Sequence, residues 1–166
     1  LGWDYWFVGG FLASWVIGYG IVQAFAPRLT GIVEGKLPDG KSAFIWAAVL
    51  SVIPALIALS MTADTVPALV LPSGLLVFGA LFAVNSSLHS YLIVSYADKD
   101  GVSMDVGFYY MANAMGRLIG TVLSGWVFQV YGMVACLWVS ALFVTLAALL
   151  SLALPAQAAP TQASLN

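Results

Sequence analysis

Charge is what this chain has least of. Of its 166 residues, 5 are lysine or arginine and 7 are aspartate or glutamate, 7% charged in all, where soluble domains carry about 25%. An ordinary soluble globular domain is thereby excluded. The formal charge of −2 and a pI near 4.9 leave no basic patch to neutralise phosphates, so nucleic acid is not an expected partner. A single cysteine, Cys136, rules out a disulfide framework and a cysteine zinc cluster. Histidine also occurs once, as His89. No acidic residue shares its apolar run to orient it, and GxSxG, HExxH and P-loop signatures are lacking. Neither an enzyme nor a cofactor is expected, and Asp98, Lys99, Asp100 and Asp105 have no metal-ligand spacing.

What remains is apolar. Hydrophobic residues make up 62% of the chain, and mean hydropathy is +1.01. Five apolar runs of about 18 to 25 residues can be drawn, at 6–26, 43–60, 71–93, 106–130 and 134–154. Each has the length of a membrane helix. An all-α integral membrane protein with five transmembrane helices over 1–155 is therefore expected. The connections 27–42, 61–70, 95–105 and the short turn 131–133 are polar or glycine- and proline-punctuated. The stretch 156–166 has no charge and little to bury, and is expected to be a disordered tail.

The few cations set an orientation. Arg28, Lys36 and Lys41 lie in the first connection and Lys99 in the third, while the second and fourth have none. Successive loops alternate sides, so these four fall on one side, which the positive-inside rule makes cytoplasmic. The N-terminal end is then outside and the tail inside. Leu1 is not methionine and no basic segment precedes the first run. An odd number of spans starting outside then fits a fragment, with an N-terminal half of the same protein missing.

The run VGFYYMANAMGRLIGTVLSGWVFQV (106–130) is unlike the others because Arg117 sits near its middle. An arginine at mid-bilayer costs roughly 2.5 to 3.5 kcal/mol, so it faces a partner or a watery cavity. On a helix, Tyr109, Asn113, Arg117 and Thr121 stack into a polar stripe. Ala112, Gly116, Gly120 and Ser124 form a small-residue stripe beside it, suited to close helix approach. Two readings of Arg117 stand: an anion-binding residue, or a structural arginine paired with a carboxylate from elsewhere or with backbone carbonyls. No carboxylate lies inside the five runs. A planar guanidinium suits bidentate binding of a carboxylate or phosphate-like anion.

Other polar side chains sit in the first and third runs. Trp15, Tyr19 and Gln23 are spaced four apart, next to a small stripe of Gly10, Ser14 and Gly18. Phe78, Phe82, Asn85 and His89 align, with Ser86 beside them. His89 fits a second anion contact, a proton-coupling group or a packed histidine. Asn85 and Asn113 fit ligand contacts or interhelical glue. Helical rise puts Asn85, Asn113 and Tyr19 at a similar depth, on the order of 10 Å from the inferred cytoplasmic ends. The second and fifth runs have no charged group. Three polar helices around one cavity, screened by two bland helices facing lipid, are expected. Trp3 and Trp6 read as an interface belt, and Cys136 as a small buried hydrophobe.

This pattern resembles the C-terminal part of a major facilitator superfamily permease, the last five of twelve helices. The resemblance implies that the first, third and fourth runs here line the cavity while the second and fifth lie peripherally. PRLTGIVEGKLPDGKS (27–42) falls where that superfamily has its signature loop, keeping the glycine and basic character. Three further strings are closer: WVIGYGIVQAFAPRLTG (15–31), FGALFAVNSSLHSYLIVSYAD (78–98) and DVGFYYMANAMGRLIGTVLSGWVFQVYG (105–132). They resemble the organoarsenical efflux permeases of bacterial arsenic-resistance operons, the ArsJ type.

That resemblance implies a multi-pass protein of the bacterial inner membrane exporting 1-arseno-3-phosphoglycerate by alternating access. It also implies a functional link to a glyceraldehyde-3-phosphate dehydrogenase. It assigns no site residues. The substrate-binding set expected from the residues themselves is Arg117, Asn113, Asn85, His89, Tyr19 and Gln23. One arginine and one histidine do not balance such a polyanion, so a further intramembrane cation is expected from the missing helices. Two alternatives are carried: an exporter of another small molecule, such as a drug or sugar phosphate, and a non-transporting membrane packing module.

Overall fold

A computed structural model describes residues 2–30, 39–63, 66–96 and 102–154. The described residues are helical without strands: α1 (Tyr5–Leu29), α2 (Gly40–Thr62), α3 (Pro67–Tyr96) and α4 (Val102–Ser151). All four are long and apolar enough to cross a membrane, which makes this a membrane protein by length and composition. The expected runs 6–26, 43–60 and 71–93 lie within α1, α2 and α3. The charge-bearing connection 31–38, Lys99 and the tail 156–166 lie outside the described residues.

The helix starts are set locally. The Asp4 carboxylate accepts from the Phe7 N–H at 2.7 Å and opens α1. Asp39, in extended conformation, accepts from the Ser42 N–H at 2.9 Å and the Ser42 hydroxyl at 3.0 Å, opening α2. Each carboxylate satisfies an otherwise orphan first-turn amide. Arg28 stands in the last turn of α1, where the helix dipole favours a cation.

At 50 residues, α4 would be about 75 Å long if straight, well over twice a bilayer core. It is broken at Gly132, with φ 80° and ψ −177°, a region that only glycine occupies readily. The chain reverses there. The Cys136 thiol donates to the Ser124 carbonyl at 3.2 Å, although 12 residues of continuous helix would separate them by about 18 Å. The arms 102–131 and 133–151 thus form a hairpin whose turn lies within the expected 131–133. The second arm ends earlier than the run 134–154: after Ser151 the chain winds into tight turns, such as Leu154 N–H to the Ser151 carbonyl at 3.3 Å.

Successive helices alternate in direction. Trp15 lies on Gly79 and Tyr19 on Phe82, so α1 and α3 run parallel. Ile57 meets Gly74 while Ala43 clusters with Leu88 and Leu92, so α2 is antiparallel to α3. Gly40 abuts Ser151 and Leu154, bringing the start of α2 to the end of α4. Arg28, Lys41, Tyr96 and the start of α4 therefore lie at one end of the bundle. Trp3, Tyr5 and Trp6 share the other end with Trp126 and Tyr131, which meet edge-on at 5.9 Å. Tyr5 and Trp6 are the most exposed of these at 85% and 83%, as an interfacial belt requires.

The packing order differs from the expected one. α2, taken for a bland helix facing lipid, is the central helix: it packs on both α3 and α4, and Ala43, Ala47, Leu50, Ser51, Pro54, Ile57 and Ala58 are buried. The reason is size. Gly40, Ala43, Ala47, Ser51, Pro54 and Ala58 recur every three to four residues, a shallow ridge on which neighbours come close. α1 packs on α3 alone, and α3 touches α4 only slightly. The small stripe of α1 does not make that contact, since nothing lies within 4 Å of a Cβ built at Gly10 or Gly18. Trp15 makes it instead, crossing Gly79 so closely that an added Cβ there would sit 2.5 Å from the indole nitrogen.

Candidate functional site

The first arm of α4 is exposed around its whole circumference from Met111 to Gly120. Arg117 projects there with no ion pair or hydrogen bond to its guanidinium among the described residues. Its backbone carbonyl accepts from the Thr121 hydroxyl at 2.8 Å, and Asn113 Nδ2 donates to the Tyr109 hydroxyl at 3.4 Å. The predicted stripe 109–113–117–121 is thus a continuous face. Beside it Tyr110, Asn113, Ala114 and Arg117 line one open face of the same arm. Tyr110 and Ala114 were not among the expected site residues. Their signal was present in the sequence, because Tyr110, Asn113, Ala114 and Arg117 follow the i, i+3, i+4, i+7 spacing of one face.

Asn85 and His89 lie on α3, both half-buried. His89 Nδ1 is 2.9 Å from the Asn85 carbonyl oxygen. A carbonyl only accepts, so Nδ1 carries the proton and Nε2 is the position left for another partner. The Asn85 side-chain oxygen is buried without a hydrogen-bond partner among the described residues. An unpaired buried acceptor costs about 1 to 3 kcal/mol, which a donor from water or a ligand would offset.

Tyr19 stands in an aromatic ladder. Its ring lies 5.8 Å from Trp15 on its own helix and 5.8 Å from Phe82 on α3, and Phe82 stacks on Phe78 at 5.9 Å. Tyr19 is thus one turn short of Asn85, close to the depth expected for it. Gln23 is half-buried a further turn along. Trp15, expected to share the polar stripe, instead locks the seam: its indole N–H donates to the Leu75 carbonyl at 2.8 Å.

The six expected residues therefore fall into two groups. Tyr19, Gln23, Asn85 and His89 belong to the α1–α3 pair; Asn113 and Arg117 belong to the first arm of α4. The described helices do not close one cavity around both, because α1 makes no contact with α4. Phe78 and Phe82 share a cavity wall with Gly116 and Gly120, so Asn85 and Asn113 lie toward the same end of the bundle beyond that wall. The small stripe Gly116–Gly120 was expected to seat another helix. It faces this cavity instead, with nothing within 4 Å of a Cβ built at either glycine.

Among the described residues no three of His, Cys, Asp and Glu group together to hold a metal ion. The side chains brought together include a cation, amide and phenol donors, and an imidazole whose Nε2 has no hydrogen-bond partner among the described residues. No protein-family model, no curated protein and no solved structure matches this chain.

Proposed function

We propose that this protein exports a small organic anion across a membrane, with Arg117 as the principal anion contact. The observation that carries the reading is Arg117 itself, a cation at the middle of an exposed apolar helix, sharing one open face with Asn113. A lipid-facing arginine there is costly by roughly 2.5 to 3.5 kcal/mol, and an anion in a watery cavity removes that cost. Asn113 adds an amide donor one turn away. Asn85, His89, Tyr19 and Gln23 form a second polar group on the neighbouring pair.

The finer reading is a major facilitator permease, of which these helices are the C-terminal part, working by rocking of two halves about a midplane site. Its proposed substrate is 1-arseno-3-phosphoglycerate, made when a companion glyceraldehyde-3-phosphate dehydrogenase uses arsenate in place of phosphate. The proposed location is the bacterial inner membrane with Arg28 and Lys41 on the cytoplasmic side, since both stand at one end of the bundle. An arsenate–phosphate ester needs cationic and hydroxyl or amide donors, which this set supplies in part. A further buried cation on another helix is expected.

Export is tested in inverted vesicles carrying the full-length protein. Uptake of the arsenoester should be saturable and fall at least tenfold in Arg117→Gln, with unchanged protein abundance. Equal flux in wild type and Arg117→Gln would overturn the anion-contact reading. Transport of a neutral compound surviving in that variant would favour an exporter of other small molecules.

A further inference from the structure

Among residues 107–122 of the first arm of α4, Tyr109 alone is not exposed. Gly116 stands seven residues further on, and seven residues return a helix to within about 20° of the same face. Gly116 lines a groove that Phe82 of α3 also lines, so Tyr109 continues the side of the arm that looks toward α3. On α3, His89 stands seven residues beyond Phe82 and continues that helix's side of the groove. The two helices run in opposite directions, so both continuations lead to the same end of the bundle. Tyr109 and His89 therefore face each other about 10 Å past the level of Phe82 and Gly116, with Asn85 one turn nearer that level.

The hydrogen-bonding groups on the two sides are complementary to one kind of partner. The Tyr109 oxygen accepts from Asn113 Nδ2 at 3.4 Å, and its own O–H has no acceptor among the described residues. On α3 the open positions are acceptors. His89 Nδ1 donates to the Asn85 carbonyl at 2.9 Å, which leaves Nε2 as an acceptor. Asn85 Oδ1 is buried without a partner among the described residues. A group between the helices must accept from the phenol and donate to the imidazole or the amide oxygen. An ionised oxygen only accepts and an ammonium only donates, whereas a hydroxyl does both.

We infer that Tyr109 is a specificity-determining residue of the anion site, reading a hydroxyl group carried by the bound anion. Asn113 links it to Arg117: the amide donates to the phenol on one side and shares an open face with the guanidinium on the other. The cation holds the charged group and the phenol tests for the hydroxyl. The inference rests on the export reading, in which Arg117 is the anion contact.

The test uses the full-length protein in detergent micelles and two stable probes, 3-phosphoglycerate and 3-phosphooxypropanoate, which lacks its hydroxyl. In calorimetric titrations wild type should bind the hydroxylated probe about fivefold tighter or more, as hydrogen bonds to one hydroxyl supply. Tyr109→Phe removes a single oxygen and should bring that ratio below about twofold, weakening the hydroxylated probe alone. Arg117→Gln should weaken both probes alike. Tyr5→Phe, at the opposite end of the bundle, should change neither. Equal affinities in wild type, a ratio that survives Tyr109→Phe, or equal loss of both probes in that variant would overturn the assignment while leaving the anion contact in place. A wild type that binds neither probe, or an Arg117→Gln variant that binds both as wild type does, would overturn the anion-contact reading and this inference with it.

Discussion

The indole N–H of Trp15 donates across a helix seam to the backbone carbonyl of Leu75, at 2.8 Å. It does so over Gly79, where a side chain would collide with the ring. As α1 has no neighbour other than α3 among the described helices, this crossing anchors it together with the Tyr19–Phe82 contact.

Trp15→Phe should therefore loosen α1, by about 0.5 to 1.5 kcal/mol for the lost hydrogen bond. Gly79→Ala should cost more, since the added methyl group and the Trp15 ring cannot both keep their places. In a double-mutant cycle Gly79→Ala and Trp15→Ala should couple, because the second change removes the ring that the new methyl group would strike. Unfolding followed by tryptophan fluorescence in mixed detergent measures both, and additive losses would contradict the crossing.

Two glycines on one helix should respond oppositely to alanine. Gly132, at φ 80°, is held where an L side chain is strained, so Gly132→Ala should destabilise by about 1 to 3 kcal/mol. Gly120 lies inside regular helix with open space around it, so Gly120→Ala should be stabilising by about 0.5 to 1 kcal/mol. Thermal midpoints of the two variants against wild type decide it.

Asp39 should make the bundle acid-sensitive. The Ser42 backbone N–H, then the Ser42 hydroxyl, hold its carboxyl below the ordinary value of 3.8. A lowered pKa means the folded state binds the proton less readily than the unfolded chain. The stabilisation is thus complete above the ordinary value and is lost as pH falls through the folded one. Asp39→Asn keeps a capping oxygen but should flatten this acid limb, whereas Asp39→Ala should lower stability by about 1 kcal/mol at neutral pH. Melting curves from pH 2 to 7 measure both effects.

Arg117 should oppose membrane insertion of its own helix. In a glycosylation-based insertion assay on residues 102–131, Arg117→Leu should favour insertion by about 3 kcal/mol. In vesicles the same change should abolish anion export. A variant that inserts better and still transports would make Arg117 dispensable to the site.

Sequence alone determined most of the local structure. Apolar length marked the runs that became α1, α2 and α3, and the turn expected at 131–133 marked the reversal in α4, whereas the caps at Asp4 and Asp39 emerged only in the structure. These are properties of the chain within a few residues, where lipid leaves the backbone no alternative to helix. The polar stripe through Arg117 was legible for the same reason, since helical periodicity fixes which residues share a face.

The tertiary structure decided which faces meet. In a bilayer a leucine gains as much from lipid as from another leucine, so polarity does not rank helices by burial. Small residues do, by letting backbones approach. That is why α2 took the centre of the bundle although it has no charged side chain in its apolar run, and why α1 rests on α3 through Trp15 and Gly79. The separation of Tyr19, Gln23, Asn85 and His89 from Asn113 and Arg117 follows from that packing order, which depends on contacts between segments distant in sequence.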